Sequence, residues 1–201
     1  MIATKDPRSG LDRFCGIEDL REWLNAPVLI GGTVYRSNGH ILVCAPPEAG
    51  REYATNEWGV KREPDKLMAQ WRDGEFAPLP KLPHPQTCLF CKGAGFLPMS
   101  KCTDCKGEGT FRHGWHEYDC KECDGDGRVR DDDNGTLSAC HGCGGLGHER
   151  SSFKVNDVSF DLVYLHWIAA LPNPLVAVRG KADPLTFRFD GGDGLLMPRH
   201  E

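Results

Sequence analysis

The chain has 201 residues, 39% of them hydrophobic and 26% charged, with a formal net charge of -5. These values fit a soluble globular protein of one or two domains. An acidic chain gains no generic attraction to nucleic acid. No apolar run is long enough to span a membrane, and Met1-Ile-Ala-Thr-Lys-Asp-Pro-Arg8 has no apolar core of signal-peptide length. The expected location is therefore a reducing cytoplasm.

From Phe14 to Pro47 the pattern is globular. Ile17, Leu20, Trp23 and Leu24 recur at helical spacing and predict a helix that Pro27 closes. Val28-Leu29-Ile30 reads as a strand, Gly31-Gly32 as a turn, and Thr33 to Arg36 as a second strand. Asn38-Gly39 is a hairpin signal before a strand from His40 to Cys44. Residues 46 to 87 are polar, with one short helix expected from Pro64 to Trp71. Pro78, Pro80, Pro83 and Pro85 favour an extended spacer, so the whole stretch 46–87 reads as a linker.

The chain has ten cysteines, and in a reducing compartment they point to metal or redox chemistry rather than disulfides. Cys15 and Cys44 stand apart among apolar residues and read as small buried hydrophobes. The other eight form four copies of Cys-X-X-Cys-X-Gly-X-Gly, beginning at Cys88, Cys102, Cys120 and Cys140. Two thiolates separated by two residues can reach one tetrahedral zinc from a single tight turn. The glycines that follow tolerate positive φ and let backbone N–H groups turn toward the sulfurs. Cys88, Cys91, Cys102, Cys105, Cys120, Cys123, Cys140 and Cys143 thus supply two complete sites for two zinc ions. Four redox-active pairs are the competing reading. It lacks the single motif at a helix start in a βαβ setting that such chemistry uses. Asp131-Asp-Asp-Asn-Gly135 lacks the alternating oxygen ligands and closing Glu of a calcium loop.

Repeated four times, this pattern resembles the cysteine-rich domain of DnaJ-type co-chaperones over residues 88–147. The resemblance implies that the first and fourth repeats share one zinc, Cys88 and Cys91 with Cys140 and Cys143. The second and third would share the other, Cys102 and Cys105 with Cys120 and Cys123. It also implies that intervening segments such as Thr110 to Arg112 and Arg128 to Arg130 pair as extended hairpins. Each structural site would supply roughly 10–16 kcal/mol of apparent binding energy in place of a hydrophobic core. The His-Pro-Asp loop of the family's J domain is not matched, His84-Pro85-Gln86 being the nearest approach. Stimulation of a partner chaperone's ATPase is therefore not expected.

Beyond the cysteines the globular pattern returns. Phe153 to Val155 reads as a strand, and Leu162, Leu165, Ile168 and Ala169 share a helical face that ends at Pro172. Leu175 to Val178, Leu185 to Phe189 and Leu195 to Met197 read as strands. Helix, strand, turn, strand, turn, strand thus stands on both sides of the cysteine zone. Residues 1–45 and 150–201 are read as two halves of one α+β domain, interrupted by the zinc module at 88–147. Asp183 to Pro198 with its closing Met-Pro resembles the final strands of a bacterial sliding-clamp domain, Phe160 to Leu165 the start of the clamp helix before them, and Tyr35 to Ile41 the clamp's turn before a strand. Clamps line their DNA channel with cationic helices. Here the segment 17–26 carries only Arg21, opposed by Glu18, Asp19 and Glu22, and 160–171 has no Lys or Arg.

Phe90, Phe96, Phe111, Trp115 and Tyr118 stand in a module too poor in apolar residues to bury them all. They are either a peptide-binding surface or packing for the linker or flanking domain. His113, His116, His141 and His148 are not needed as ligands once eight thiolates complete two sites. No nucleophile–base pair, phosphate loop or spaced carboxylate pair is present, so the chain is not expected to be an enzyme. The expected function is a chaperone-like adaptor whose partner is a protein or unfolded polypeptide, with no membrane partner. The alternative is an accessory protein of DNA metabolism built on a clamp-like domain. Thiol–disulfide exchange at the second zinc site ranks last.

Overall fold

The computed structural model describes residues 8, 10–55 and 64–199. The described part is mainly sheet with two short helices, which α+β describes. It divides into two compact units, one being Cys88–Gly147 and the other the residues on either side.

The flanking residues build an eight-stranded sheet. In chain order its first strands are β1 (Val28–Ile30), β2 (Thr33–Ser37), β3 (Ile41–Ala45) and β4 (Ala54–Thr55). The helix α1 (Pro64–Trp71) and the strand β5 (Ala77–Pro78) complete the first flank. The cysteine unit holds β6 (Phe96–Lys101), β7 (Thr110–His113), β8 (His116–Asp119), β9 (Arg128–Arg130) and β10 (Thr136–Ala139), with β10-β6-β9 forming a three-stranded sheet and β7-β8 a separate hairpin. The second flank holds β11 (Ser152–Val155), β12 (Val158–Asp161), α2 (Leu162–Ala169), β13 (Leu175–Ala177), β14 (Leu185–Phe189) and β15 (Gly192–Leu196).

The order across the large sheet is β4-β1-β2-β3-β15-β14-β13-β5. Two antiparallel meanders, β1-β2-β3 and β13-β14-β15, meet at an antiparallel seam that pairs Leu42 with Leu195 and Ile41 with Leu196. Both faces of the sheet are covered. Met68 and Trp71 of α1 pack with Tyr35, Leu42, Cys44 and Leu195 on one side. The alternate residues, including Val43, Phe187 and Leu196, are fully buried on the other. This explains why β3 is buried at every position rather than at every second one. Gly194 lies opposite Phe187, and a Cβ there would strike the Phe187 ring, so the missing side chain makes room for the ring. α2 starts where the Asp161 carboxylate accepts the Val163 N–H at 3.0 Å, and it buries Leu162, Leu165 and Ile168.

Three expectations need correction. The segment Ile17–Leu24 is not an α-helix. Only Glu22–Leu24 forms a 3₁₀ turn, and Leu20 is fully exposed. Local polar groups win there: Asp19 accepts from the Arg21 N–H and guanidinium, and Asn25 bonds both the N–H and C=O of Asp19. Phe14, from an earlier 3₁₀ turn at Gly10–Phe14, is the buried anchor instead, edge-on to Trp167. The stretch 46–87 is more than a spacer. Ala54–Thr55 and Ala77–Pro78 add to opposite edges of the sheet, and Met68 is completely buried. Finally, Phe160–Asp161 ends a strand rather than beginning a helix, because Asn156 and Asp157 take positive φ and turn β11 back onto β12.

The buried cation Arg36 ties the first 3₁₀ turn to the sheet. Its guanidinium bonds Asp12 at 3.1 Å and Glu48 at 2.8 Å, and Arg51 bonds both carboxylates as well.

Candidate metal centre

The cysteine unit repeats one backbone device four times. Each Cys-X-X-Cys turn is followed by a residue in the left-handed region, Lys92, Lys106, Asp124 or Gly144, and then by a glycine with φ of 82–88°. The second glycine of each repeat also has positive φ and donates its N–H to the second cysteine's Sγ. The four bonds, from Gly95, Gly109, Gly127 and Gly147, are all 3.2 Å. The left-handed lysines and aspartate were not anticipated from the sequence, since only glycine advertises that conformation.

The repeats then pair. Cys88 N–H donates to Gly147 C=O at 3.0 Å and Cys140 N–H to Gly95 C=O at 2.8 Å. The same two bonds join the other pair, Cys102 to Gly127 at 2.9 Å and Cys120 to Gly109 at 2.7 Å. The second glycines sit against carbonyls across the pairing. A Cβ on Gly95 or Gly147 would lie 2.7 Å from the oxygen of Gly145 or Gly93. One on Gly127 would lie 2.5 Å from the Gly107 oxygen, and one on Gly109 would collide with the Gly125 oxygen. These glycines are fixed by close approach as well as by φ.

The result is two cysteine quartets, Cys88/Cys91/Cys140/Cys143 and Cys102/Cys105/Cys120/Cys123. Within each, all sulfurs lie within 4.8 Å of one another. All eight cysteines are at most 8% exposed and none is in a disulfide. The sulfurs of Cys91 and Cys143 are 3.7 Å apart, those of Cys102 and Cys120 3.8 Å, and those of Cys105 and Cys123 3.7 Å. A tetrahedral ion with metal–sulfur bonds of about 2.3 Å needs sulfur–sulfur edges of about 3.8 Å. Each quartet could therefore hold a metal ion, and the donor set is one that could bind zinc.

The electrostatics agree with that fit. Burial works against the Cys105 thiolate, but the Gly109 and Gly107 N–H groups and the neighbouring thiols bring its pKa down to about 7. Burial and the sulfurs of Cys120, Cys105 and Cys102 push Cys123 up to about 12, against the Gly127 N–H. Four thiolates so close cannot all ionise without a cation among them. The ring of Phe90 stands edge-on to His141, with centroids 4.2 Å apart, and His141 lies 3.6 Å from Asp126. Among the described residues, no histidine belongs to either quartet.

Strands fill the intervals between successive repeats. Thr110–His113 pairs with β8 as a hairpin whose turn is Gly114-Trp115. Arg128–Arg130 instead pairs with β6, which also accepts β10 on its other edge. The acidic run between β9 and β10 is an Asx turn: Asp131 accepts the N–H groups of Asp133 and Asn134 and the Ser100 hydroxyl. On the β7–β8 hairpin, Phe111 and Tyr118 face each other in register, and Arg112 and Glu117 occupy the opposite side. Phe111 and Tyr118 are about half exposed and Trp115 wholly so, whereas Phe96 is buried. No helix among the described residues is long and apolar enough to cross a membrane. No protein-family model, characterised protein or solved structure that was compared matches this chain.

Proposed function

We propose that this chain is a non-enzymatic zinc protein of the cytoplasm that holds exposed apolar segments of other polypeptides on a DnaJ-type cysteine-rich module. The observation that carries the reading is the aromatic side of the β7–β8 hairpin. Phe111, Tyr118 and Trp115 stand open to solvent on an arm whose base is the second quartet. Exposed aromatics on a rigid strand pair bind apolar chain segments at small entropic cost. Zinc in both quartets would fix that base. The repeat pattern and the pairing of first with fourth and second with third repeats support the DnaJ-type assignment. The zinc ions would contribute structure and no reaction step.

A second reading, an accessory protein of DNA metabolism on a clamp-like domain, draws on one observation: the two meanders that meet at the β3–β15 seam. Two features weigh against it. α2 offers DNA no Lys or Arg. The sheet's edges are two-residue strands, one containing Pro78, which are poor templates for closing a ring of copies.

Paired titrations test the choice, one with a reduced, unfolded model protein and one with labelled duplex DNA, each repeated at raised salt. The proposal predicts measurable client binding that falls when Phe111 and Trp115 are both changed to Ser, with both metal ions retained. Tight, salt-sensitive duplex binding without client binding would overturn it.

A further inference from the structure

We propose that Lys154, Lys181 and Arg199 form a binding site for the dianionic phosphate group of a small ligand. The three residues line one cavity of about 210 Å³ beside the β11–β12 hairpin, together with Asp157 and Ser159. They come from three separate segments, each held in place. Lys154 lies on β11, in register with Ser159 of β12. Lys181 lies in a turn closed by the Asp183 N–H on the Gly180 carbonyl at 3.2 Å. Arg199 follows β15 and is pinned across β12 by its own N–H on the Ser159 carbonyl at 2.8 Å.

Several other cations among the described residues are already engaged. Arg36, Arg51 and Arg21 are committed to carboxylates, and Arg179 and Arg188 to carbonyls and aromatic rings. The Lys154, Lys181 and Arg199 side chains have no hydrogen bond or ion pair among the described residues. Three like charges gathered without a partner on a net-negative protein repel one another, and an anion seated among them relieves that repulsion. Among the residues that line the cavity, Asp157 offsets one of the three charges and leaves a net of two. A phosphate monoester carries close to two negative charges at neutral pH and offers three acceptor oxygens. A phosphodiester carries one, so the site favours the monoester. Arg199 can also grip two oxygens at once.

The test uses the isotopically labelled full chain, titrated with inorganic phosphate at neutral pH and constant ionic strength set by chloride. Saturable amide shifts are expected near Lys154, Lys181 and Arg199. Lys154→Gln combined with Lys181→Gln should weaken binding about tenfold or more. Both lysines are exposed, so the variant should keep the fold, and unchanged shifts elsewhere would verify it. Dimethyl phosphate, a monoanion, should bind several-fold more weakly. Shifts that do not saturate, that chloride alone reproduces, or that survive in the double variant would overturn the proposal. Equal binding of dimethyl phosphate would overturn the dianion assignment.

Discussion

Changing Gly109 to Ala should release the ion of the second quartet while leaving the first intact. Gly109 has φ of +79°, and its N–H donates to Cys105 Sγ at 3.2 Å. An added Cβ would meet the Gly125 carbonyl, a backbone group tied into the paired repeat. The left-handed conformation costs an L-residue about 1–2 kcal/mol, and forcing the two repeats apart costs about 1–3 kcal/mol. Together these weaken the quartet by about 2–5 kcal/mol, or roughly 30- to 4,000-fold in metal affinity. Competition with a chromophoric chelator reads this as one ion released early and one at the wild-type concentration. Gly114→Ala is the control. Its φ is +62°, but a Cβ there meets nothing within 4 Å and the residue lies at the far end of the hairpin. It should leave both release steps unchanged. The reasoning is refuted if Gly109→Ala keeps both ions at wild-type affinity, or if Gly114→Ala releases as much.

Other expectations follow from the same geometry. Replacing residues 86–149 with a short Gly/Ser linker should leave a soluble domain that unfolds cooperatively and ignores chelators; denaturant melting of the shortened chain checks this. Phe187→Ala, which empties a fully buried site against Gly194, should cost about 3–5 kcal/mol in the same melting experiment without altering metal content. Asp12 supplies a pH dependence. Burial opposes its ionised form, but bonds from Arg51 and Arg36 prevail and hold its pKa below the usual carboxylate range. Its contribution is then complete above about pH 4 and is lost as pH falls through the depressed value. Thermal stability should fall with acidification below about pH 4, and less steeply in Asp12→Asn.

The eight cysteine ligands were legible because their code is local, two sulfurs per turn and then glycines where φ must be positive, whereas the grouping of repeats into quartets came only from the family resemblance. The strands β1 to β3 and β14 were legible for a similar reason, since apolar runs bounded by Gly-Gly, Asn-Gly and Asp-Gly-Gly carry their own punctuation. The 17–24 segment misled because helical spacing of Ile17, Leu20, Trp23 and Leu24 says nothing about Asp19 and Asn25, whose side chains compete for the same backbone groups. β5 was hidden by proline. Pro78 lacks an N–H, which suits a spacer and an edge strand equally well, and only the neighbouring β13 decides between them. The start of β15 was hidden by Gly192 and Gly194, poor strand formers that become favourable once Phe189 and Phe187 cover them. The phosphate cavity was invisible in sequence because its three cations lie on segments brought together by the fold.

Native mass measurement of cysteine variants tests the central claim most directly. The wild-type chain should carry two zinc ions. Cys88→Ser, Cys143→Ser and their double variant should each lose the same single ion, because both residues serve one quartet. Cys88→Ser combined with Cys105→Ser should lose both. A wild-type stoichiometry of one, or a Cys88→Ser/Cys143→Ser chain that loses two ions while Cys88→Ser/Cys105→Ser loses one, would contradict the account.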